Sequence, residues 1–257
     1  MTILDKIMET KRQEITAYKN SYPKTEQYPD KPKLIDSLRK SRGVISEIKR
    51  ASPSKGAIRM EVDVVEQARQ YEGAGAAAIS VLTDEQYFKG SIEDLKKVAR
   101  VVSVPVLCKD FMVSEIQIER AKAAGATIIL LIVAALKDEE LERLFRYADS
   151  LGLEILVEVH DAAELEKAVA IGAQLIGVNN RNLKTFEVSL ERTAELAEKF
   201  TFGSGSVLIS ESGMNDTADA HKAYELGAQG VLVGEALMRS EDPASWIRQA
   251  TGQEAAQ

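Results

Sequence analysis

The chain runs to 257 residues, 45% of them hydrophobic and 28% charged, with a formal net charge of -7 and one cysteine, Cys108. That composition suits a globular α/β chain with a large core, while the acidic balance argues against nucleic acid, which needs a basic footprint, and the lone cysteine rules out an internal disulfide framework. Two histidines give no Cys/His zinc cluster, no apolar stretch reaches the ~18 residues of a membrane span, and residues 1–6 lack a signal-peptide layout; a cytoplasmic protein is expected, with no metal, nucleic-acid or membrane partner.

Residues 1–43 read as a helical extension. Thr2 with Asp5 resembles a capping box, and Ile3, Leu4, Ile7 and Met8 form an apolar stripe, so a helix is predicted over 3–19, its stripe buried against the barrel surface. Pro23, Pro29 and Pro32 break the chain before a short helix near Leu34–Lys40. Four Gly-Ala pairs then recur, at Gly75, Gly125, Gly172 and Gly227, each heading an apolar run, with further apolar runs at 44–49, 105–109, 154–159 and 207–211. Gly is favoured just past a helix end, so the pattern gives eight strands at roughly 25-residue spacing, each followed by a helix. Leu141, Leu144, Phe145 and Ala148 keep helical spacing, and Asp161 and Asp216 stand as acidic caps directly after strand ends. The prediction is one (β/α)8 TIM-barrel domain over residues 1–257 with a frayed tail at 251–257. A doubly wound dinucleotide fold would want Gly-x-Gly-x-x-Gly after its first strand; here that strand runs into Arg50-Ala51-Ser52-Pro53-Ser54-Lys55-Gly56.

Several of these strands end on a polar or charged residue. Parallel strands covered on both faces are near-continuously apolar, so charges at the same end of several strands point to the mouth of a barrel, where chemistry is carried out. Glu47 and Lys49 lie two apart and share a face. Lys109 closes an apolar run, and burial lowers a lysine's pKa toward the range of a neutral-pH proton donor. Glu158 at the fifth strand tip would pair with it as a base. Asn179 and Arg181 are read as facing inward, Asn180 and Asn182 as satisfying their own turn. His160 and His221 are isolated and read as structural. Ser210-Glu211-Ser212-Gly213-Met214 and the run into Gly234-Glu235 read as a phosphate cradle of backbone N–H groups. Glu47, Glu158 and Glu211 balance Lys49, Lys109 and Arg181, so a phosphate carrying about -1.5 to -2 must lean on backbone dipoles.

Glu47-Ile48-Lys49-Arg50-Ala51-Ser52-Pro53-Ser54 closely resembles the signature of the indole-3-glycerol phosphate synthase family of tryptophan biosynthesis. Leu107–Phe111, Glu158–His160, Val178–Leu183 and Ser210–Met214 resemble that family's other motifs, in its order. The resemblance implies a lyase that closes 1-(2-carboxyphenylamino)-1-deoxyribulose 5-phosphate to indole-3-glycerol phosphate with loss of carbon dioxide and water. It implies Lys109 as general acid, Glu158 as its partner, Lys49 on the departing carboxylate and Glu47 as base. Asn179, Arg181 and Glu211 would hold the ribulose hydroxyls and the lysines. Ser52, Ser212, Gly213, Gly234 and Glu235 would line the phosphate, and Phe88, Phe111 and Leu131 the anthranilate slot. No cofactor and no obligate protein partner are implied, only a small phosphorylated substrate. Two rivals stand beside this reading. Phosphoribosylanthranilate isomerase would want a cysteine base at the first strand end, and a non-catalytic binder would have no use for the acid–base set.

Overall fold

The computed structural model describes residues 2–18, 26–182, 185–200 and 205–253; Lys19, Pro23, Leu183 and residues 254–257 lie outside the described residues. Eight parallel strands close into a barrel: β1 Gly43–Ile48, β2 Ala78–Leu82, β3 Val106–Lys109, β4 Ile128–Ile132, β5 Glu154–Val159, β6 Leu175–Asn179, β7 Val207–Glu211 and β8 Gly230–Val233. Each pairs with its neighbours in sequence, and β8 closes the ring on β1 through Gly43↔Gly230 to Ser46↔Val233. This is the expected (β/α)8 barrel. The predicted caps are in place, with Asp161 accepting from Glu164 N and Asp216 from Asp219 N at the starts of α7 (Ala162–Ala170) and α9 (Thr217–Glu225). Thr251, read from sequence as tail, still belongs to the last helix (Pro243–Thr251), which Gly252 ends in a left-handed turn at φ 71.

The pleat sorts every strand into two faces. Ile45, Leu107, Leu156 and Ile209 fill the inside of the barrel, while Val44, Cys108, Val157 and Leu208 belong to the shell between strands and helices. The extension serves both ends. Helix α2 (Leu34–Leu38) sets Leu34, Ile35 and Leu38 into the interior cluster and closes the bottom. Its unpaired first N–H groups, Leu34 N and Ile35 N, donate to the Glu154 carboxylate at 2.7 and 2.9 Å.

Helix α1 (Ile3–Tyr18) lies at the other end, and the part of the barrel its apolar stripe packs on is the mouth: Ile3, Leu4 and Ile7 line the cavity there. The Thr2–Asp5 capping box forms, Thr2 N donating to Asp5 at 2.7 Å and Asp5 N to Thr2 at 3.1 Å. A buried ammonium fastens the helix. Lys11, 2% exposed, meets Asp84 at 2.8 Å, Glu14 at 2.9 Å and Asp110 at 3.0 Å. Asp84 also accepts from Tyr87 N and Phe88 N, and Asp110 from Thr83 Oγ1 and Phe111 N. One cation thus ties the extension to the loops after β2 and β3. Removing one member of a buried ion cluster leaves its partners uncompensated, at about 3–5 kcal/mol. Lys11→Met is expected to lower the unfolding free energy by that amount in a urea titration.

Candidate active site

The C-terminal strand ends open into a cavity of about 760 Å³. The four odd-numbered strands each send one ionisable group into it: Glu47 from β1, Lys109 from β3, Glu158 from β5 and Glu211 from β7. Alternate strands of such a barrel build one layer of side chains, and here that layer is charged. Lys109 Nζ stands 2.5 Å from Glu211 Oε2 and 3.7 Å from Glu158 Oε2. Glu47 Oε1 is 3.2 Å from Lys49 Nζ, just past the end of β1. Asn179 Nδ2 donates to Glu158 Oε1 at 3.0 Å, and Ser80 Oγ to Glu47 Oε2 at 3.4 Å.

Burial by itself would lower the Lys109 pKa, as expected from sequence. The carboxylates of Glu211, Glu158 and Glu47 outweigh it and carry the pKa above its ordinary value. The expected downward shift is therefore reversed in the free site: Lys109 is held charged. Glu211 bears the complementary cost, pushed up to about 7 by burial against the pull of Lys109.

Even-numbered strands make room for these carboxylates. A side chain at Gly177 on β6 would place its Cβ 2.1 Å from Glu211 Oε1, and one at Gly234 would come within 2.5 Å of Glu47 Oε1. Gly234 therefore has a second role beyond the cradle expected of it.

At one end of the cavity Phe88 and Phe111 stack with centroids 6.0 Å apart, and Lys49 Nζ lies 5.7 Å from the Phe88 ring. Leu130 and Ile132 continue this wall. Leu131, expected there, does not: it points outward into the shell with Leu141 and Leu144. The strand Ile128–Ile132 is apolar on both faces, so its sequence carries no mark of parity. Ser52, Ser212, Gly213, Gly234 and Glu235 line the same cavity.

Ser212 adopts φ 63 and Gly213 φ 88; left-handed backbone on a non-glycine residue persists only where neighbours enforce it. Asn180 does so. Fully buried, its Nδ2 donates to Glu211 O, Ser212 O and Ser210 Oγ. It therefore braces the next strand's loop rather than its own turn, whereas Asn182 accepts from Thr185 N as expected.

The sequence reading missed two cations here. Lys55 and Arg239 also line the cavity, at 3.8 and 3.0 Å from the Glu235 carboxylate, so the Glu235 charge is balanced and the expected phosphate cradle has side-chain cations beside its backbone dipoles. The Glu235–Arg239 spacing of a helical ion pair was the available signal. His160, read as isolated, stands 3.4 Å from Glu158.

A family model for indole-3-glycerol phosphate synthase matches residues 4–250. The chain belongs to the indole-3-glycerol phosphate synthase family. It is 53% identical over 258 residues to an indole-3-glycerol phosphate synthase of Exiguobacterium sibiricum, covering 98% of both chains. It is 50% identical over 244 residues to one of Oceanobacillus iheyensis, covering 93% of each. Among solved structures, a thiamine phosphate pyrophosphorylase from Pyrococcus furiosus (17% identity, 85% of this chain and 96% of that one) and a 3-hexulose-6-phosphate synthase (14%, 83% and 100%) both superpose with TM-score 0.62, a likeness of fold alone. As a member of this synthase family the protein is an enzyme, a decarboxylating carbon–carbon lyase acting on a small molecule, and the isomerase and non-catalytic rivals fall away. Among the described residues no helix is long and apolar enough to cross a membrane.

Gly177→Ala tests the packing of the charged layer. The obstructing atom is the end of a side chain, so the fold should survive while Glu211 is displaced from Lys109. Misplacing a reacting constellation by about 1 Å costs on the order of 10²-fold; a loss of that size in kcat with an unchanged urea midpoint is expected.

Proposed function

We propose that this enzyme closes 1-(2-carboxyphenylamino)-1-deoxyribulose 5-phosphate to indole-3-glycerol phosphate by lysine and glutamate acid–base catalysis. The observation that carries the reading is the placement of two lysine–carboxylate sets in one cavity, Lys109 with Glu211 and Glu158, and Lys49 with Glu47. Aromatic residues Phe88 and Phe111 and the glycine–serine segments at Ser52, Ser212–Gly213 and Gly234 line the same cavity. The substrate has the matching parts: an aromatic ring with a carboxylate, a ketone in the middle and a phosphate.

The phosphate binds between Ser52, the Ser212–Gly213 turn and the Gly234–Glu235 helix start, where N–H groups point outward along a favourable dipole, with Lys55 and Arg239 adding charge. The anthranilate ring lies against Phe88, Phe111 and Leu130, and its carboxylate meets Lys49. Asn179 and Arg181 hold the ribulose hydroxyls. The ring carbon bearing the carboxylate attacks the ketone carbon while Lys109 gives a proton to the ketone oxygen. The carbon–carboxylate bond then breaks, carbon dioxide leaves, and its electron pair restores the aromatic ring. Dehydration completes the sequence: Lys49 protonates the new hydroxyl, which departs as water, and Glu47 takes a proton from the carbon beside the nitrogen. Glu158 orients Lys109, and Glu211 holds it charged until the ketone arrives.

Incubating the purified protein with this ribulose phosphate should generate indole fluorescence. Lys109→Ala should lower kcat by about 10²–10⁴-fold, the usual contribution of a positioned acid, while product still binds by equilibrium titration. Unchanged turnover in Lys109→Ala would remove that residue from the mechanism.

A further inference from the structure

The proposed cyclisation does not balance in protons within the site. The substrate carboxylate is an anion and leaves as neutral carbon dioxide, so each turnover takes up one proton from solvent. Two protons are given to the departing oxygen, one by Lys109 and one by Lys49, and only one comes back, from carbon to Glu47. Glu47 and Lys49 are 3.2 Å apart and can return that proton between themselves. The deficit therefore falls on Lys109, whose partly buried side chain faces the cavity that the substrate would fill.

One line of side chains leads from Lys109 to the surface. Glu158 Oε2 is 3.7 Å from Lys109 Nζ, His160 Nε2 is 3.4 Å from Glu158 Oε1, and His160 Nδ1 is 3.0 Å from Glu164 Oε2. Side-chain exposure is 14% at Lys109, where it faces the cavity, 5% at Glu158, 11% at His160 and 18% at Glu164, so the line passes through its most buried member beside Lys109 and opens outward from there. Among the described residues His160 Nε2 is buried and makes no hydrogen bond, so the atom facing Glu158 is free to exchange a proton. Glu164 fixes the ring: its carboxylate also accepts from His160 N at 2.7 Å, while Asp161 turns aside to cap α7 through Glu164 N. From these distances we infer that His160 is a positioning residue acting through Glu158, the carrier by which a solvent proton entering at Glu164 reaches Lys109 in each turnover. The inference rests on the proposed cyclisation. Imidazole suits the task because it can accept at one ring nitrogen while releasing at the other.

The groups facing His160 are Glu158 on its own strand, Glu164 on α7 and Glu211 on β7, with Lys109 beyond Glu158. Burial lowers the imidazole's pKa, but the three carboxylates prevail and hold it above its ordinary value. The proton is thus kept to higher pH and lost as pH rises through that pKa, so kcat should fall on the alkaline side. Glu211, pushed up to about 7, titrates as well, so the readout is the difference between wild type and variants.

The experiment is the pH profile of kcat for wild type, His160→Gln and Glu164→Gln with the ribulose phosphate. His160→Gln keeps the backbone N–H to Glu164 but cannot titrate. It should lose about tenfold or more in kcat, keep KM, and lack the His160-dependent part of the alkaline limb. Glu164→Gln, at the exposed end, should shift that limb to lower pH, because it removes a negative charge that stabilises the imidazolium; this arm decides the matter if His160→Gln does not fold. Wild-type kcat and limb in His160→Gln, or an unmoved limb in Glu164→Gln, would overturn the relay while leaving the cyclisation intact. A wild-type protein that does not cyclise the substrate would sink the functional reading itself.

Discussion

Barrel closure combined with the two-residue pleat is the constraint that organises this molecule. Once eight parallel strands are closed, inward positions fall into layers drawn alternately from odd and even strands. In this chain one apolar layer is Ile45, Leu107, Leu156 and Ile209. Two residues further along the same four strands stand Glu47, Lys109, Glu158 and Glu211. The same geometric rule that packs the core therefore places these four ionisable groups. No loop needs to fold correctly to bring Lys109 within 2.5 Å of Glu211, and sites built on strands hold their geometry more tightly than sites built on loops.

Such a layer is costly to bury, since each ion loses its hydration and only close pairing compensates. Lys109 answers three carboxylates, which keeps it charged and leaves a surplus of negative charge around it. The surplus is relieved by raising Glu211 toward neutrality and by hydrogen bonds from Asn179 and Ser80 to the other two carboxylates. The even strands contribute by omission: Gly177 and Gly234 are cut away where Glu211 and Glu47 need space. Stability forgone in this half of the barrel is regained at the other end, where α2 plugs the floor with Leu34, Ile35 and Leu38.

The fold was legible because its signals are local and repeated: Gly-Ala at helix ends, apolar runs, acidic caps. The charged layer was legible because a Glu or Lys at the end of an apolar run contradicts packing. What escaped was relational. The strand Ile128–Ile132 is apolar at every position, so Leu131 and Leu130 could not be told apart without the neighbouring strand. His160 has no ligand-spaced companion in sequence, yet β5 sets it on the rim beside Glu158. Asn180 lies in what reads as a turn, but its three acceptors are some thirty positions away. Lys11 gave no hint at all, because Asp84 and Asp110 follow two different strands. Each miss is a contact between elements, and periodicity within one element is silent about those.

The N-terminal extension bears on both the proposed acid–base set and its proton supply. Ile3, Leu4 and Ile7 line the cavity, and Lys11 clamps their helix to the loops carrying Phe88 and Phe111. Substrate filling a cavity walled in this way excludes water, which strengthens every charge interaction inside it. It also cuts the ionisable groups off from bulk protons. A mouth open to solvent could recharge Lys109 directly; a filled one needs a side-chain route that leaves by the wall. The path from Glu158 through His160 to Glu164 runs from the end of β5 to α7, so the relay answers the requirement of a dry site that must still take up a proton.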